Sequence, residues 1–231
     1  MPLLFVEFVK YAFYNKPMNN TFKQAVLHAG KAMQSRNLTI ETWGNISVRD
    51  PETGYIYLTP SGMPYDTINE DDICVLDKDG NVIEGKRKPS VEKMLHVLIY
   101  QNRKDVNAIL HTHPLSSTVF AVLHKDIPCV TDEMAQAIGG SVKCAEYALP
   151  GSMELAGNCL KALGSSMAVL LANHGAVCLG RNMKECFKVA TVLETSADIY
   201  QKALAIGQPQ EISKENTDWM RDFALNKYGQ R

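Results

Sequence analysis

The chain has 231 residues, of which 45% are hydrophobic and 21% are charged, and its formal net charge is −1 at pH 7. This length allows a sizeable hydrophobic core in one domain, and the composition is that of an ordinary globular protein. The near-zero charge gives no support for a nucleic-acid or membrane partner, because both favour basic protein surfaces. The six cysteines contain no Cys-x-x-Cys pair, which indicates reduced thiols and predicts a cytoplasmic location.

The N-terminal segment is apolar over residues 2–10 but is interrupted by charge, and it is too short to span a membrane. It lacks the basic region and the small-residue cleavage site of a secretion signal. Two interpretations stay open for residues 1–17. They form a short helix or strand packed on the domain, or they are an upstream extension of a chain that starts at Met18. Residues 18–231 are predicted to form a single domain.

Hydrophobic periodicity in the first half of the chain predicts helices and short strands. Asn20 or Thr21 is a candidate N-cap of a helix that runs to about Gln34. The pattern then predicts strands at 46–49, 55–59, 73–77 and 81–84. A second long helix is predicted to open at Pro89-Ser90-Val91-Glu92, with Ser90 as its N-cap, and a strand follows at 106–113.

The second half continues this alternation. Helices are predicted over about 116–124, 132–137, 152–163, 183–204 and 214–227. The uninterrupted apolar run at 167–172 predicts a buried strand, and strand continues at 176–179. Blocks of helices and mostly hairpin-linked strands favour an α/β fold with a largely antiparallel sheet covered by helices.

Two histidines, His111 and His113, stand at the end of a predicted strand. Alternate residues of a strand point to one face, so both imidazoles can converge on one point. His174 follows another predicted strand, beside Gly175, which allows close backbone approach. Neutral imidazole is a favoured zinc ligand, and a catalytic zinc usually has three protein ligands. These three histidines are therefore candidate ligands, whereas His96, in the second predicted helix, is expected to support the structure.

Five short motifs occur in the order and spacing of a known family: Gly44-Asn45-Ile46-Ser47, Thr59-Pro60-Ser61-Gly62, Pro89-Ser90-Val91-Glu92, His111-Thr112-His113 and Asn173-His174-Gly175. Together they resemble the zinc-dependent class II aldolase/adducin family, from about residue 20 to the C-terminus. The resemblance implies a three-layer α/β/α fold around a mainly antiparallel sheet. It also implies a homotetramer with active sites between subunits.

The resemblance implies roles for individual residues. His111, His113 and His174 match the ligands of a catalytic Zn2+. Glu92 matches the catalytic acid/base, and Tyr228 matches a tyrosine that reaches into a neighbouring site and protonates the leaving aldehyde oxygen. The residues that match the cradle for the substrate phosphate are Asn45, Ser61, Gly62 and Ser90.

The implied activity is that of a lyase. It reversibly cleaves a ketose 1-phosphate such as L-fuculose 1-phosphate into dihydroxyacetone phosphate and a small aldehyde such as L-lactaldehyde. The alternatives are 4-epimerisation of L-ribulose 5-phosphate, dehydration of methylthioribulose 1-phosphate, and a non-enzymatic adducin-like scaffold. Glu92 favours the aldolase because the epimerases tend to have Asp there, whereas Asp132 is compatible with an epimerase. The three histidines argue against the scaffold, which lacks the metal ligands.

Two positions depart from the family pattern. Val91 stands where the aldolases usually have a second serine, so one phosphate hydroxyl is absent although its backbone N–H remains. No tyrosine occurs near Thr131-Asp132-Glu133, where a second tyrosine is expected. The first difference concerns the phosphate of the substrate and the second concerns its aldehyde end.

Overall fold

The computed structural model of the protein describes residues 20–230, so the expectations for residues 1–17 lie outside the described residues. Helices and strands alternate through the described range. The helices are α1 (Asn20–Ser35), α2 (Lys93–Asn102), α3 (Leu115–Val122), α4 (Asp132–Ala137), α5 (Met153–Leu163), α6 (Met183–Ile206) and α7 (Lys214–Asn226). The strands are β1 (Asn45–Arg49), β2 (Ile56–Leu58), β3 (Cys74–Leu76), β4 (Val82–Glu84), β5 (Ala108–Thr112), β6 (Cys144–Ala145), β7 (Ala168–Leu171) and β8 (Gly175–Gly180).

The strands form one eight-stranded sheet in the order β4-β3-β2-β1-β5-β8-β7-β6. Neighbouring strands run antiparallel except for β6 and β7, which are parallel. Helix α1 packs against β1 and β2, and α6 packs against β5 and β8. The predicted three-layer α/β/α fold with a mainly antiparallel sheet is confirmed.

The middle of the sheet is covered on both faces. Every residue of β5, β7 and β8 is buried. A strand that is buried on both faces has no reason to alternate polar and apolar residues, which accounts for the continuous apolar run at 167–172. Among residues 20–230, no helix is both long enough and apolar enough to cross a membrane.

The prediction that Ser90 caps the second helix is wrong. Helix α2 begins at Lys93, with Glu92 at the N-cap position. The chain stays extended through Ser90 because its backbone N–H donates to the carbonyl oxygen of Thr59, at 3.2 Å. The Ser90 hydroxyl oxygen instead accepts from the backbone N–H of Glu92, at 3.3 Å.

Two short elements were absent from the sequence prediction. One is β6, which has two residues and pairs with β7. The other is a single 3-10 turn, Glu70–Asp72, capped by the side chain of Asn69. A two-residue strand is too short to show any periodicity, so its position depends on pairing with a partner strand.

Candidate active site

Three imidazole rings meet at one end of the central strands. His111 lies on β5, which ends at Thr112, and His113 follows on the same face. His174 lies in the turn between β7 and β8. The Nε2 atom of His111 is 3.1 Å from Nε2 of His113 and 3.2 Å from Nε2 of His174. The structure thus brings together the three histidines that the sequence singles out.

The turn that carries His174 is held by its neighbours on both sides. Asn173 has a positive φ of 53°, a conformation that asparagine tolerates better than most residues. Its backbone N–H donates to Ala121 of α3, at 3.1 Å, and its side-chain oxygen accepts from His124. At Gly175, a Cβ would come within 2.3 Å of the carbonyl oxygen of Thr112. Only a glycine therefore fits between the turn and the end of β5.

The three histidines fit a metal ion. In a tetrahedral site with Zn–N bonds of about 2.0–2.1 Å, ligand nitrogens lie about 3.3 Å apart, close to the distances found here. Nδ1 of His111 is 3.0 Å from the carbonyl oxygen of Ala176, which can only accept. The proton therefore lies on Nδ1, and the lone pair of Nε2 is directed at the centre of the cluster. This cluster could hold a metal ion.

Glu92 joins the histidines from the start of α2. Its side chain is buried. The Oε2 atom accepts from the amide of Asn45, at 2.8 Å, and lies 3.2 Å from Nε2 of His111. The Oε1 atom is 3.6 Å from Nε2 of His174 and is buried without a hydrogen-bond partner among the described residues. A buried carboxylate oxygen without a protein partner suits contact with a metal ion or a substrate.

Burial and neighbouring charges shift the pKa values of the groups in this cluster. Burial alone would raise the pKa of Glu92, but His111, His174 and the Asn45 amide hold it well below its usual range. Burial, reinforced by the charge at His111, lowers the pKa of His113 to about 3 and that of His174 to about 4. Burial also acts to lower the pKa of His111, but Glu92 raises it above the usual value. Protons and a metal ion compete for these nitrogens, so we expect weaker metal binding at lower pH.

Three of the four residues expected to bind phosphate, Ser61, Gly62 and Ser90, lie on two loops that are joined by backbone hydrogen bonds. Ser61 N–H donates to the carbonyl oxygen of Lys88 at 2.9 Å, and Ser90 N–H donates to Thr59. Ser61 and Gly62 are exposed, whereas Ser90 is buried. Because Glu92 is two residues from Ser90, this loop pair lies beside the carboxylate.

The side chain of Asn45 makes two hydrogen bonds that its predicted role did not include. Its side chain lies between Glu92 and His96, donating to the first and accepting from the second. An amide nitrogen carries two N–H groups, so one of them is still available to a phosphate oxygen. The phosphate role of Asn45 stays a prediction. The sequence did not predict the hydrogen bond between Asn45 and His96. The only signal was that His96 follows Glu92 by four residues at the start of a predicted helix.

Two other predicted residues are not part of the cluster of histidines and Glu92. Tyr228 is 63% exposed, and its ring centroid is 6.1 Å from that of Phe223. Its role in a neighbouring site stays a prediction. Asp132 opens α4 and is exposed, with Thr131 as the helix cap.

Comparison with known proteins identifies relatives along most of the chain. The sequence model of the family described as Class II Aldolase and Adducin N-terminal domain matches residues 24–201. The 5-deoxy-D-ribulose 1-phosphate aldolase of Bacillus thuringiensis serovar kurstaki is 37% identical over 211 residues, which are 90% of this chain and 97% of the relative. The L-fuculose phosphate aldolase of Escherichia coli K12 is 34% identical over 193 residues, 84% of this chain and 88% of the relative.

A solved structure, that of an L-fuculose 1-phosphate aldolase, matches with a TM-score of 0.86 and 38% sequence identity. The match covers 89% of this chain and 96% of that chain. The chain belongs to the class II aldolase and adducin family. Together with its relatives, this makes it a class II aldolase, which is a lyase, as the sequence predicts.

Proposed function

We propose that the protein is a zinc-dependent aldolase that reversibly cleaves a ketose 1-phosphate into dihydroxyacetone phosphate and a small aldehyde. The observation that carries this proposal is the approach of one buried carboxylate, Glu92, to three converging imidazoles. His111, His113 and His174 would hold the zinc. When bound, zinc would supply Lewis-acid stabilisation of the negative charge that develops on the substrate oxygens.

Glu92 would carry the proton. In the synthetic direction, its Oε1 would accept a proton from the hydroxyl-bearing carbon of dihydroxyacetone phosphate. The resulting enediolate would attack the aldehyde carbon, and the aldehyde oxygen would take a proton from the Tyr228 hydroxyl of a neighbouring subunit. In cleavage, the same oxygen returns the proton to that carbon. Oε2 is held by Asn45, and Oε1 has no hydrogen-bond partner among the described residues, which supports Oε1 as the reacting oxygen.

The phosphate would be anchored by neutral donors. Ser61, Gly62 and Ser90 lie on the joined loops, and α2 begins just after Ser90, so its N-terminal N–H groups favour an anion nearby. Val91 has no hydroxyl, and only its backbone N–H could contribute. The exposed side chain of Lys88 lies on the same loop pair and adds positive charge at its rim.

We propose a short aldehyde with a terminal methyl group as the second product. One relative is named for 5-deoxy-D-ribulose 1-phosphate and another for L-fuculose phosphate. Cleavage of these compounds between C3 and C4 releases acetaldehyde and lactaldehyde. The two differ by one hydroxyl-bearing carbon, a difference worth only about 1–3 kcal/mol in a simple apolar pocket, so we expect both to be accepted with unequal efficiency.

The test is to incubate the zinc-loaded protein with dihydroxyacetone phosphate and, separately, acetaldehyde, L-lactaldehyde and glycolaldehyde, and to identify the products by NMR. We expect ketose 1-phosphates, with the methyl-terminated aldehydes preferred. Parallel incubations with L-ribulose 5-phosphate and methylthioribulose 1-phosphate test the epimerase and dehydratase alternatives. Turnover of either compound, with no aldol product, would replace the proposal.

We further propose a cytoplasmic homotetramer in which residues 18–231 form one domain. All six cysteines are free thiols, which supports a reducing compartment. Helix α3 follows His113 directly and exposes an apolar stripe formed by Leu115, Val119, Val122 and the adjoining Leu123. A stripe of this kind is typical of a surface that another subunit covers.

A further inference from the structure

A chain of buried hydrogen bonds leads away from Glu92 into the core. The hydroxyl of Tyr100 is 2.8 Å from Oγ of Ser47, which in turn is 2.7 Å from Nδ1 of His96. Nε2 of His96 is bonded to Oδ1 of Asn45, and Nδ2 of Asn45 is 2.8 Å from Oε2 of Glu92. All five side chains are buried, and His96 is 0% exposed.

The end of this chain at Glu92 fixes its direction. A carboxylate only accepts, so Asn45 must donate through Nδ2, and its Oδ1 then faces His96. That oxygen also only accepts, so the proton of the His96 ring lies on Nε2. Burial, aided by charge at His111, lowers the pKa of His96 to about 3, so the ring is neutral and has a single N–H. Nδ1 therefore accepts from Ser47, and the Ser47 oxygen accepts from Tyr100.

Building on the function proposed above, we propose that His96 is a positioning residue for proton transfer. Held as the Nε2–H tautomer by Ser47, it orients the Asn45 amide, which holds Oε2 of Glu92 and thereby aims Oε1 into the site. Helix α2 supports this arrangement because Glu92 is its N-cap residue and His96 lies about one turn further along the helix. A rotation of the Asn45 amide would place its carbonyl oxygen against the carboxylate of Glu92. His96 prevents this rotation because its Nε2–H donates to that carbonyl oxygen.

The tautomer of His96 provides a direct test that does not depend on activity. We would record 15N NMR spectra of the full-length, zinc-loaded protein labelled in its histidines, and assign His96 by the loss of its signals in His96→Gln. The expected result is a protonated Nε2 and an unprotonated Nδ1. In Glu92→Gln, the new amide can donate to Asn45, and we expect the Nδ1–H tautomer to gain population. A wild-type His96 that is protonated on Nδ1, or on both nitrogens, would overturn the proposal.

A pair of substitutions at His96 separates positioning from packing. His96→Leu fills the volume without an N–H, and we expect kcat to fall by about 10–100-fold, the usual loss for a supporting hydrogen-bond partner. Zinc content and the KM for the ketose phosphate should change little. In His96→Gln the side-chain amide can still donate to Asn45, so we expect part of the lost kcat to return. A Leu variant as active as the Gln variant would mean that His96 only fills space.

Two smaller changes answer the concern that His96 variants do not fold. Ser47→Ala and Tyr100→Phe each remove one buried hydroxyl of this hydrogen-bonded series. Tyr57→Phe is the control, because it removes the hydroxyl of a buried tyrosine that is not one of the five residues of the series. We expect Ser47→Ala to lower kcat more than Tyr100→Phe, because only Ser47 bonds to His96 directly, and Tyr57→Phe to match the wild type. Equal kcat in Ser47→Ala and Tyr57→Phe would overturn the proposal. If the wild type cleaves no ketose phosphate, the proposed function fails. The tautomer measurement still tests whether His96 donates from Nε2 to Asn45.

Discussion

Gly44 packs against the backbone of His111 so closely that a Cβ on Gly44 would lie 2.5 Å from the carbonyl oxygen of His111. Gly44 also has a φ of +76°, in the left-handed region that favours glycine. Gly44 therefore controls how near β1 comes to the end of β5 that carries His111. Tyr65 fixes the same loop by donating from its hydroxyl to the carbonyl oxygen of Gly44, at 2.9 Å.

Gly44→Ala should destabilise the fold and lower the zinc content. Gly54→Ala is the matched control, because Gly54 has the same φ of +76° but a Cβ there would meet no atom within 4 Å. The difference in unfolding free energy between the two variants reports the collision with His111, and we expect it to be about 1–3 kcal/mol. Urea unfolding and metal analysis measure the two effects. Equal unfolding free energies would show that β1 moves aside at no cost.

His174→Ala should remove most of the bound zinc. A catalytic zinc usually has three protein ligands, and this variant keeps only two of the three histidines. The protein should be purified in the presence of zinc, dialysed, and analysed by elemental mass spectrometry. We expect about one zinc per chain in the wild type and in His28→Ala, since His28 is exposed on α1. Full occupancy in the His174→Ala protein would contradict the assignment of the ligands.

Ser90→Ala should raise the KM for the phosphorylated ketose while the zinc content stays normal. The hydroxyl lost is one of the few donors on the joined loops, and a hydrogen bond to a charged group is worth about 1.5–3 kcal/mol. Ser165→Ala removes an exposed serine hydroxyl and provides the control. The unphosphorylated sugar should be measured as well. If Ser90→Ala prefers the phosphorylated ketose as strongly as the wild type does, the phosphate binds elsewhere.

Glu92→Gln should retain zinc and still bind dihydroxyacetone phosphate but lose about 10²–10⁴-fold in cleavage rate, the usual contribution of general acid–base catalysis. A glutamine cannot accept the proton that leaves carbon. The same variant should stop exchanging hydrogen at that carbon with deuterated water, which NMR follows without any aldehyde present. Exchange at the wild-type rate would assign the base to another residue, with Asp132 and Glu133 the next to test.

Tyr228→Phe should lose lyase activity, because its hydroxyl is predicted to serve the site of a neighbouring subunit. Mixing experiments distinguish this arrangement from a site within one chain. Tyr228→Phe and His174→Ala chains, each inactive alone, should recover activity when unfolded together, refolded with zinc and assembled as mixed tetramers. Light scattering reports the assembly state. Mixed tetramers without activity would place Tyr228 in the site of its own chain, and a Tyr228→Phe protein that is active alone would exclude Tyr228 from the chemistry.

The sequence predicted most elements of this fold because their signals are local. The period of apolar residues located all seven described helices to within a few residues, and the position of His111 and His113 on one strand face predicted their convergence. The apolar run at 167–172 located β7 for the same reason. Each of these inferences needs only a short stretch of chain.

The features that escaped prediction depend on contacts between distant segments. The start of α2 is delayed by the bond from Ser90 to Thr59, thirty-one residues earlier in the chain, and β6 exists only through its pairing with β7. His96 was expected to support the structure, but its link to Asn45 joins residues 51 positions apart. No periodicity reports such a link. Tyr228 depends, in the proposed tetramer, on a surface that no single chain contains.

In the proposed zinc site, the turn between β7 and β8 would affect when the enzyme acquires its metal. His174 follows His111 by 63 positions in the chain, so a nascent polypeptide has two of the three ligands long before the third is synthesised. The proposed zinc site would therefore be completed only late in synthesis, once the segment that carries His174 has been made. A metal that binds only the completed sheet adds about 2.7 kcal/mol of stability when its free concentration is a hundred times its Kd. Cells short of zinc would then lose this enzyme to proteolysis as well as to inactivity.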